Sequence, residues 1–262
     1  MSSNPPSENC CAKVTLHSGK PQGSIEKIGN LNCYVTSNFN FNSEKYLFIF
    51  PDIFGIELVN TQLVADKFSD CLNYPVIIID IVNNDPFKLD GLLDFPQWKI
   101  NHPVELTVNL IKEFFIDFEK NLKNNETKAK FLAGIGYCFG AKYLSHYLTK
   151  DGLLDVGAFA HPSFVDEDEL SAIRKPLIIS CAETDSIFPR DLRFKSEEIL
   201  SNSKIPYQID LYSQTEHGFA VRGDMTVPQV KYAAEKALTD QVLFFKFHDS
   251  SDSSDSSGAC KC

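Results

Sequence analysis

The chain has 262 residues, 43% of them hydrophobic and 12% aromatic, with a formal net charge of −10. That length suits one α/β domain with a sizeable core. An acidic chain with no Lys/Arg cluster lacks the electrostatic footprint of a nucleic-acid binder and gains nothing at an anionic membrane surface.

The first twenty residues are polar and hold no apolar h-region, and no run of about 18 apolar residues occurs. Neither an export signal nor a membrane span is expected, and the cytoplasm is the expected compartment, with the nucleus also open. Residues 1–24 read as an irregular N-terminal arm. Residues 25–36 read as strands around the Gly29-Asn30 turn. Continuous apolar runs follow at 46–50, 76–80, 129–135, 153–160, 176–182 and 207–212. Short apolar runs bounded by turn residues are the pattern of parallel strands covered on both faces.

Helical patterns alternate with these runs at 56–72, 104–122, 139–149, 190–203 and 228–247. In the second of them Val104, Val108, Ile111, Phe115, Phe118 and Leu122 step by three or four residues and share one face. In the last, Val230, Ala234, Ala237 and Phe244 do so. Strands alternating with helices imply a mostly parallel central sheet flanked by helices, a three-layer α/β sandwich. The 21 Phe predict a tightly packed interior, with core packing favoured over an aromatic-lined pocket. The domain is expected over 25–247, followed by a Ser/Asp-rich, disordered tail over 248–262.

Eight cysteines are present, at 10, 11, 33, 71, 138, 181, 260 and 262. Without an export signal they read as reduced thiols, with Cys33, Cys71 and Cys181 as small buried hydrophobes. The terminal Cys260-Lys261-Cys262 is similar to the prenylated ends of some small GTPases; metal capture, redox pairing and a plain solvated tail are the other readings.

The sharpest chemical signal is Gly136-Tyr137-Cys138-Phe139-Gly140, between an apolar strand and a helical pattern. It is a G-x-C-x-G nucleophile elbow with Cys in place of Ser. Glycines two residues either side keep side chains out of the crowded approach of strand and helix. The turn offers the Phe139 N–H to an oxyanion. An α/β-hydrolase fold places its triad in the order nucleophile, acid, histidine. Strand 176–182 runs into Asp185, and strand 207–212 runs into His217. Asp185 is expected to orient His217, which takes the Cys138 proton. Glu183 is a substitute acid, and His161 is the best rival to His217. No metal-ligand spacing, P-loop or G-x-G-x-x-G occurs, so neither a metal nor a cofactor is expected.

Over roughly residues 10–247 the chain resembles the dienelactone hydrolase family, most closely its fungal branch. The resemblance rests on Pro51-Asp52-Ile53-Phe54-Gly55, the Gly136–Gly140 elbow, the Asp185 segment and His217-Gly218-Phe219-Ala220. The arm from Cys10 to Val35 is also similar to fungal members. The resemblance implies an eight-stranded α/β-hydrolase without a large lid, acting on an ester or lactone through a thioester acyl-enzyme. It implies that the Ile53 N–H is the second oxyanion donor. In bacterial members a Glu in the Asp52 slot activates the thiol, and two arginines hold the substrate carboxylate. Here that carboxyl is one methylene shorter. Arg222 stands one position from one arginine's place, and residues 81–103 offer Lys88 and Lys99 but no Arg. Lysine carries charge but not a bidentate fork.

The expected function is hydrolysis of a small ester or lactone. A broad carboxylesterase or thioesterase is the alternative within enzymes. A ligand-binding or thiol redox-sensing protein on the same fold is the alternative outside them. Oligomeric state is not legible.

Overall fold

A computed structural model describes residues 14–88 and 94–249. The Cys10-Cys11 pair, most of the tail and Cys260-Lys261-Cys262 lie outside the described residues.

Eight strands form one sheet: β1 (Ser24–Ile28), β2 (Leu31–Val35), β3 (Lys45–Phe50), β4 (Val76–Ile79), β5 (Phe131–Tyr137), β6 (Val156–Ala160), β7 (Leu177–Thr184) and β8 (Tyr207–Glu216). Their spatial order is β1-β2-β4-β3-β5-β6-β7-β8. The β1–β2 hairpin turns at Gly29, whose φ is +61°, and pairs antiparallel with β4; all later pairs are parallel. In β4, β5 and β6 every residue is buried, which explains why these strands read as unbroken apolar runs.

Helices cover both faces. On one side lie α1 (Val59–Leu72) and, at the end of the domain, α8 (Pro228–His248). Ala65, Phe68 and Leu72 of α1 and Val242 and Phe245 of α8 share a core with Leu47, Ile49, Ile135 and Ile178. On the other side lies α3 (Val104–Asn124), whose Ile111, Phe114, Phe115 and Phe118 pack with Tyr46, Phe48 and Phe50. Ile111, Phe115, Phe118 and Leu122 lie on the buried face of α3 as expected, and the stripe departs from expectation only in its first turns and at Phe114. Val104 is exposed and Val108 half-buried, while Thr107 and Phe114 turn inward. The buried face is therefore widened by Thr107 and Phe114, one residue before the expected Val108 and Phe115, with the helical period kept. Three short helices complete the chain before α8 besides α4 (Gly140–Ser145) and α6 (Arg190–Ser203): α2 (Phe95–Asn101), α5 (Glu167–Ala172) and α7 (Phe219–Arg222). Among the described residues no helix is long and apolar enough to cross a membrane. No group of three or more His, Cys, Asp or Glu is placed to hold a metal among them. Cys33 and Cys181 are buried as expected, whereas Cys71 is only half-buried.

Helix α8 continues past Phe247, the expected end of the domain. His248 completes α8, and Asp249 is buried, with its carboxylate 2.7 Å from Lys45 Nζ and accepting the Tyr74 hydroxyl. These contacts tie the end of α8 to the start of β3. Asp249→Ala is expected to cost about 2 kcal/mol of stability, because a buried hydrogen bond to a charged group is lost. A urea titration checks it, and an unchanged midpoint would mean that the tether carries no net stability.

Candidate active site

The sheet order reverses direction between β3 and β5: the chain leaves β3 for β4 on one side, and β5 leads to β6 on the other. In an open parallel sheet the crevice for a ligand lies beyond the strand C-termini at such a point. The residues singled out in the sequence collect there, after β3 (Asp52, Ile53), β5 (Cys138, Phe139), β7 (Asp185) and β8 (His217).

Cys138 adopts φ +50°, the left-handed strain of a nucleophile elbow. The turn is pinned by its neighbours. The Cys138 N–H donates to Ala160 O at 3.1 Å, and Cys138 O accepts from Ser163 N–H at 2.9 Å. A Cβ on Gly140 would sit 2.0 Å from Phe50 O, and one on Gly136 2.5 Å from Ala141 Cα. Both glycines are therefore required by close backbone approach. The helix that follows is shorter than expected. It spans only Gly140–Ser145 instead of 139–149, and Cys138 lies two residues before it.

His217 Nε2 lies 3.1 Å from Cys138 Sγ, and its Nδ1 lies 2.7 Å from Asp185 Oδ2. Asp185 is fixed from behind, its Oδ1 accepting the N–H groups of Ile187 (2.9 Å) and Phe188 (3.0 Å). Burial, the largest single effect, depresses the His217 imidazole. The charge on Cys138 and the Asp185 carboxylate together outweigh it and hold the ring at about 9. The imidazolium and the thiolate thus favour one another. Glu183, the substitute acid, is exposed and accepts from the Gln214 N–H instead.

Asp52 is fully buried. Its Oδ1 accepts the Phe54 N–H at 3.0 Å, and its Oδ2 lies 2.9 Å from Arg222 Nε. Burial first, and the Cys138 charge with it, push the Asp52 carboxyl up to about 6, against Arg222, the Phe54 N–H and His217. Arg222 does not extend into open solvent as a free carboxylate clamp. It is 3% exposed, and its Cζ lies 5.5 Å from the Phe54 ring centroid. Lys88 is exposed, and Lys99 lies 4.2 Å over the Phe164 ring.

Two further residues border the site: Ser163, which the sequence did not single out, and His161, named there as the rival to His217. Ser163 Oγ lies 3.1 Å from Cys138 Sγ and 3.3 Å from His217 Nε2. His161, the rival base, is buried edge-on to His217 with ring centroids 5.1 Å apart. Neither of its ring nitrogens finds a hydrogen-bond partner among the described residues. Burial, then the charges of His217 and Arg222, hold its pKa well below the usual value, so it is a neutral ring. The place of both residues follows from the topology: β6 pairs with β5, so residues just after β6 face the elbow.

A cavity of about 590 Å³ borders His217, Phe219 and Arg222, with Glu216 and Asp224 on its walls. Cys138 is not in its lining and is itself buried. The elbow instead abuts aromatic rings: Phe139 lies 5.6 Å from Trp98, which lies 5.9 Å from Phe95 and 6.2 Å from Phe87. Phe87 in turn lies 6.3 Å from Phe54. The aromatic wealth therefore divides between plain core on α3 and this cluster beside the elbow.

Residues 32–248 match the model of the dienelactone hydrolase family. The chain is 36% identical over 247 residues to Hydrolase pyvD of Aspergillus violaceofuscus, covering 94% of this chain and 98% of that protein. It is 37% identical over 250 residues to Hydrolase tropI of Talaromyces stipitatus, covering 92% and 96%. A crystal structure of a putative dienelactone hydrolase from Klebsiella pneumoniae superposes with a TM-score of 0.69 at 14% identity, over 87% of this chain and 99% of that one, and it supports the fold alone. With the α/β-hydrolase sheet and its elbow, these matches show that the chain belongs to the dienelactone hydrolase family and is a hydrolase of small esters or lactones.

Proposed function

We propose that this hydrolase is a cysteine enzyme acting through a thioester acyl-enzyme, with Cys138 as nucleophile, His217 as general base and acid, and Asp185 as the group that orients the ring. The observation that carries the reading is the unbroken buried relay Sγ···Nε2 at 3.1 Å and Nδ1···Oδ2 at 2.7 Å. His217 takes the thiol proton first, and the Cys138 thiolate then attacks the acyl carbon. The Phe139 and Ile53 N–H groups stabilise the oxyanion. The leaving alkoxide takes the proton from His217; in a lactone it stays tethered to the acyl group. Water, deprotonated by His217, then opens the thioester and returns the thiol.

Asp52 supplies a buried negative charge that disfavours a second one nearby, so it acts on the thiol through its own protonation state. Arg222, the candidate substrate-binding residue, is held by Asp52. A substrate carboxylate would have to compete with that pair, beside the carboxylates Glu216 and Asp224. The reading therefore favours an uncharged acyl group with apolar or aromatic character, matched to Phe54, Phe139 and Trp98.

The test is a single-turnover reaction of wild type and Cys138→Ala with 4-nitrophenyl acetate, followed by intact mass. An acetyl adduct on wild type, absent from Cys138→Ala, is expected. Equal 4-nitrophenol release by both proteins, with no adduct, would sink the cysteine mechanism.

A further inference from the structure

Cys138, His217 and Ser163 form a triangle in the interior, with edges of 3.1 Å (Sγ to Nε2), 3.1 Å (Sγ to Oγ) and 3.3 Å (Oγ to Nε2). Ser163 is fully buried, and its own N–H donates to Cys138 O at 2.9 Å. Serine and elbow are thus locked together through the backbone, and the hydroxyl is aimed by that lock. We propose that the Ser163 hydroxyl is a fourth functional group of the site, donating to Cys138 Sγ and holding the nucleophile in its charged form. The inference rests on the reading of Cys138 as the nucleophile.

The chemistry follows from what each atom can do. In the thiolate–imidazolium pair the Nε2 proton points at sulfur, and sulfur has lone pairs left over. A hydroxyl is both donor and acceptor. Its proton can be given to the thiolate at 3.1 Å, while its oxygen, 3.3 Å from Nε2, is a second acceptor for the ring proton. One hydroxyl therefore stabilises both charges of the pair. A donor to a buried anion is worth more than the same donor in water, because burial removes the competing solvent. Once sulfur is acylated its charge is gone, and the hydroxyl's stabilising effect on it falls. The contact therefore acts on formation of the nucleophile more than on the thioester.

The other groups facing Cys138 do not replace this donor. Asp52, after β3, is an acceptor when charged and opposes a thiolate. Asp185, after β7, acts through His217. Arg222 from α7 is engaged with Asp52. His161, on the same segment as Ser163, faces His217 as a neutral ring. The position is specific: Ser163 follows β6, the strand paired with the nucleophile's own strand β5.

The test is the pH dependence of Cys138 alkylation by iodoacetamide, read by mass at Cys138 in wild type, Ser163→Ala and Ser163→Thr. Ser163→Ala is expected to shift the midpoint of thiolate formation up by about one pH unit, a tenfold loss of reaction rate on the acid limb. The plateau at high pH is expected to hold within about twofold, because the same thiolate reacts there. Ser163→Thr, which keeps the hydroxyl, is expected to restore the wild-type midpoint. A general loosening of the site would lower the plateau and leave the midpoint in place. An unmoved midpoint in folded Ser163→Ala, or a Ser163→Thr midpoint equal to that of alanine, would overturn the proposal. If wild type forms no acyl adduct at Cys138, the cysteine mechanism itself has failed. A shift in midpoint alongside that result would leave Ser163 as a donor to a thiolate without a catalytic task, and the proposal would fall.

Discussion

His217→Ala is expected to lower kcat/KM for ester hydrolysis by about 10⁴-fold, the upper range for loss of a general acid–base. Asp185→Asn is expected to fall nearly as far, and further than Asp185→Ala. The reason is in the orientation of the carboxylate. Its Oδ1 already accepts two backbone N–H groups, from Ile187 and Phe188, at 2.9 and 3.0 Å. An asparagine must turn its carbonyl oxygen to those donors, which leaves its NH₂ facing His217 Nδ1. That makes Nδ1 an acceptor and places the ring proton on Nε2, the tautomer that cannot take a proton from the thiol. Alanine removes the orienting group but imposes no wrong tautomer. Loss of the carboxylate also removes one of the two influences that hold His217 at about 9, so the imidazolium becomes less favourable in both variants. Steady-state kinetics on the four proteins from pH 6 to 9 is the measurement. If Asp185→Asn keeps more activity than Asp185→Ala, the imposed-tautomer account is wrong.

Much of this site was legible because its signals are local. The Gly136–Gly140 spacing and the apolar strand before it fix the elbow by backbone crowding, and the Phe50 O contact of Gly140 is that crowding. Asp185 and His217 were found from chain order, because each strand of a parallel sheet delivers its next residues to the same edge. Both strands run further than their apolar cores, to Thr184 and Glu216, since their ends carry exposed polar residues at the rim. The short helices escaped because four to seven residues cannot display a helical period; α2 and α5 had readable marks, the Asp94 cap followed by Pro96 and the Asp166–Glu169 capping box. Ser163, and the place of His161 beside His217, escaped for a different reason. Their roles arise from the pairing of β6 with β5, which no spacing in one sequence reveals. The contact between Asp52 and Arg222 spans 170 positions of chain and was equally hidden. Read separately, each had a plausible task; read together, each limits the other.

That pair carries the second large effect. Asp52→Asn removes the buried counter-charge 2.9 Å from Arg222 Nε, and at pH 7.5 it is expected to cost about 3–5 kcal/mol, the usual penalty for breaking a buried ion pair from one side. The double variant Asp52→Asn/Arg222→Gln, which removes both charges, is expected to recover most of that loss, as a strongly non-additive cycle. The pH dependence has a definite sign. The folded Asp52 carboxyl is raised to about 6, from an ordinary value of 3.8. A raised folded value adds stability that is fully present below the ordinary value and is lost as pH rises through the folded one. Wild type therefore sheds this contribution between about pH 4 and pH 6, while Asp52→Asn has no proton to lose there. At pH 5 wild type still keeps part of that contribution, so the gap between the two proteins is expected to be wider there than at pH 7.5. Urea titrations of wild type, Asp52→Asn, Arg222→Gln and the double variant at both pH values give the cycle. A penalty that is the same at pH 5 and 7.5 would mean that Asp52 stays ionised throughout and that Arg222 outweighs burial. In that case the carboxylate is a fixed charge, and it cannot act on Cys138 by taking up and releasing a proton near neutral pH.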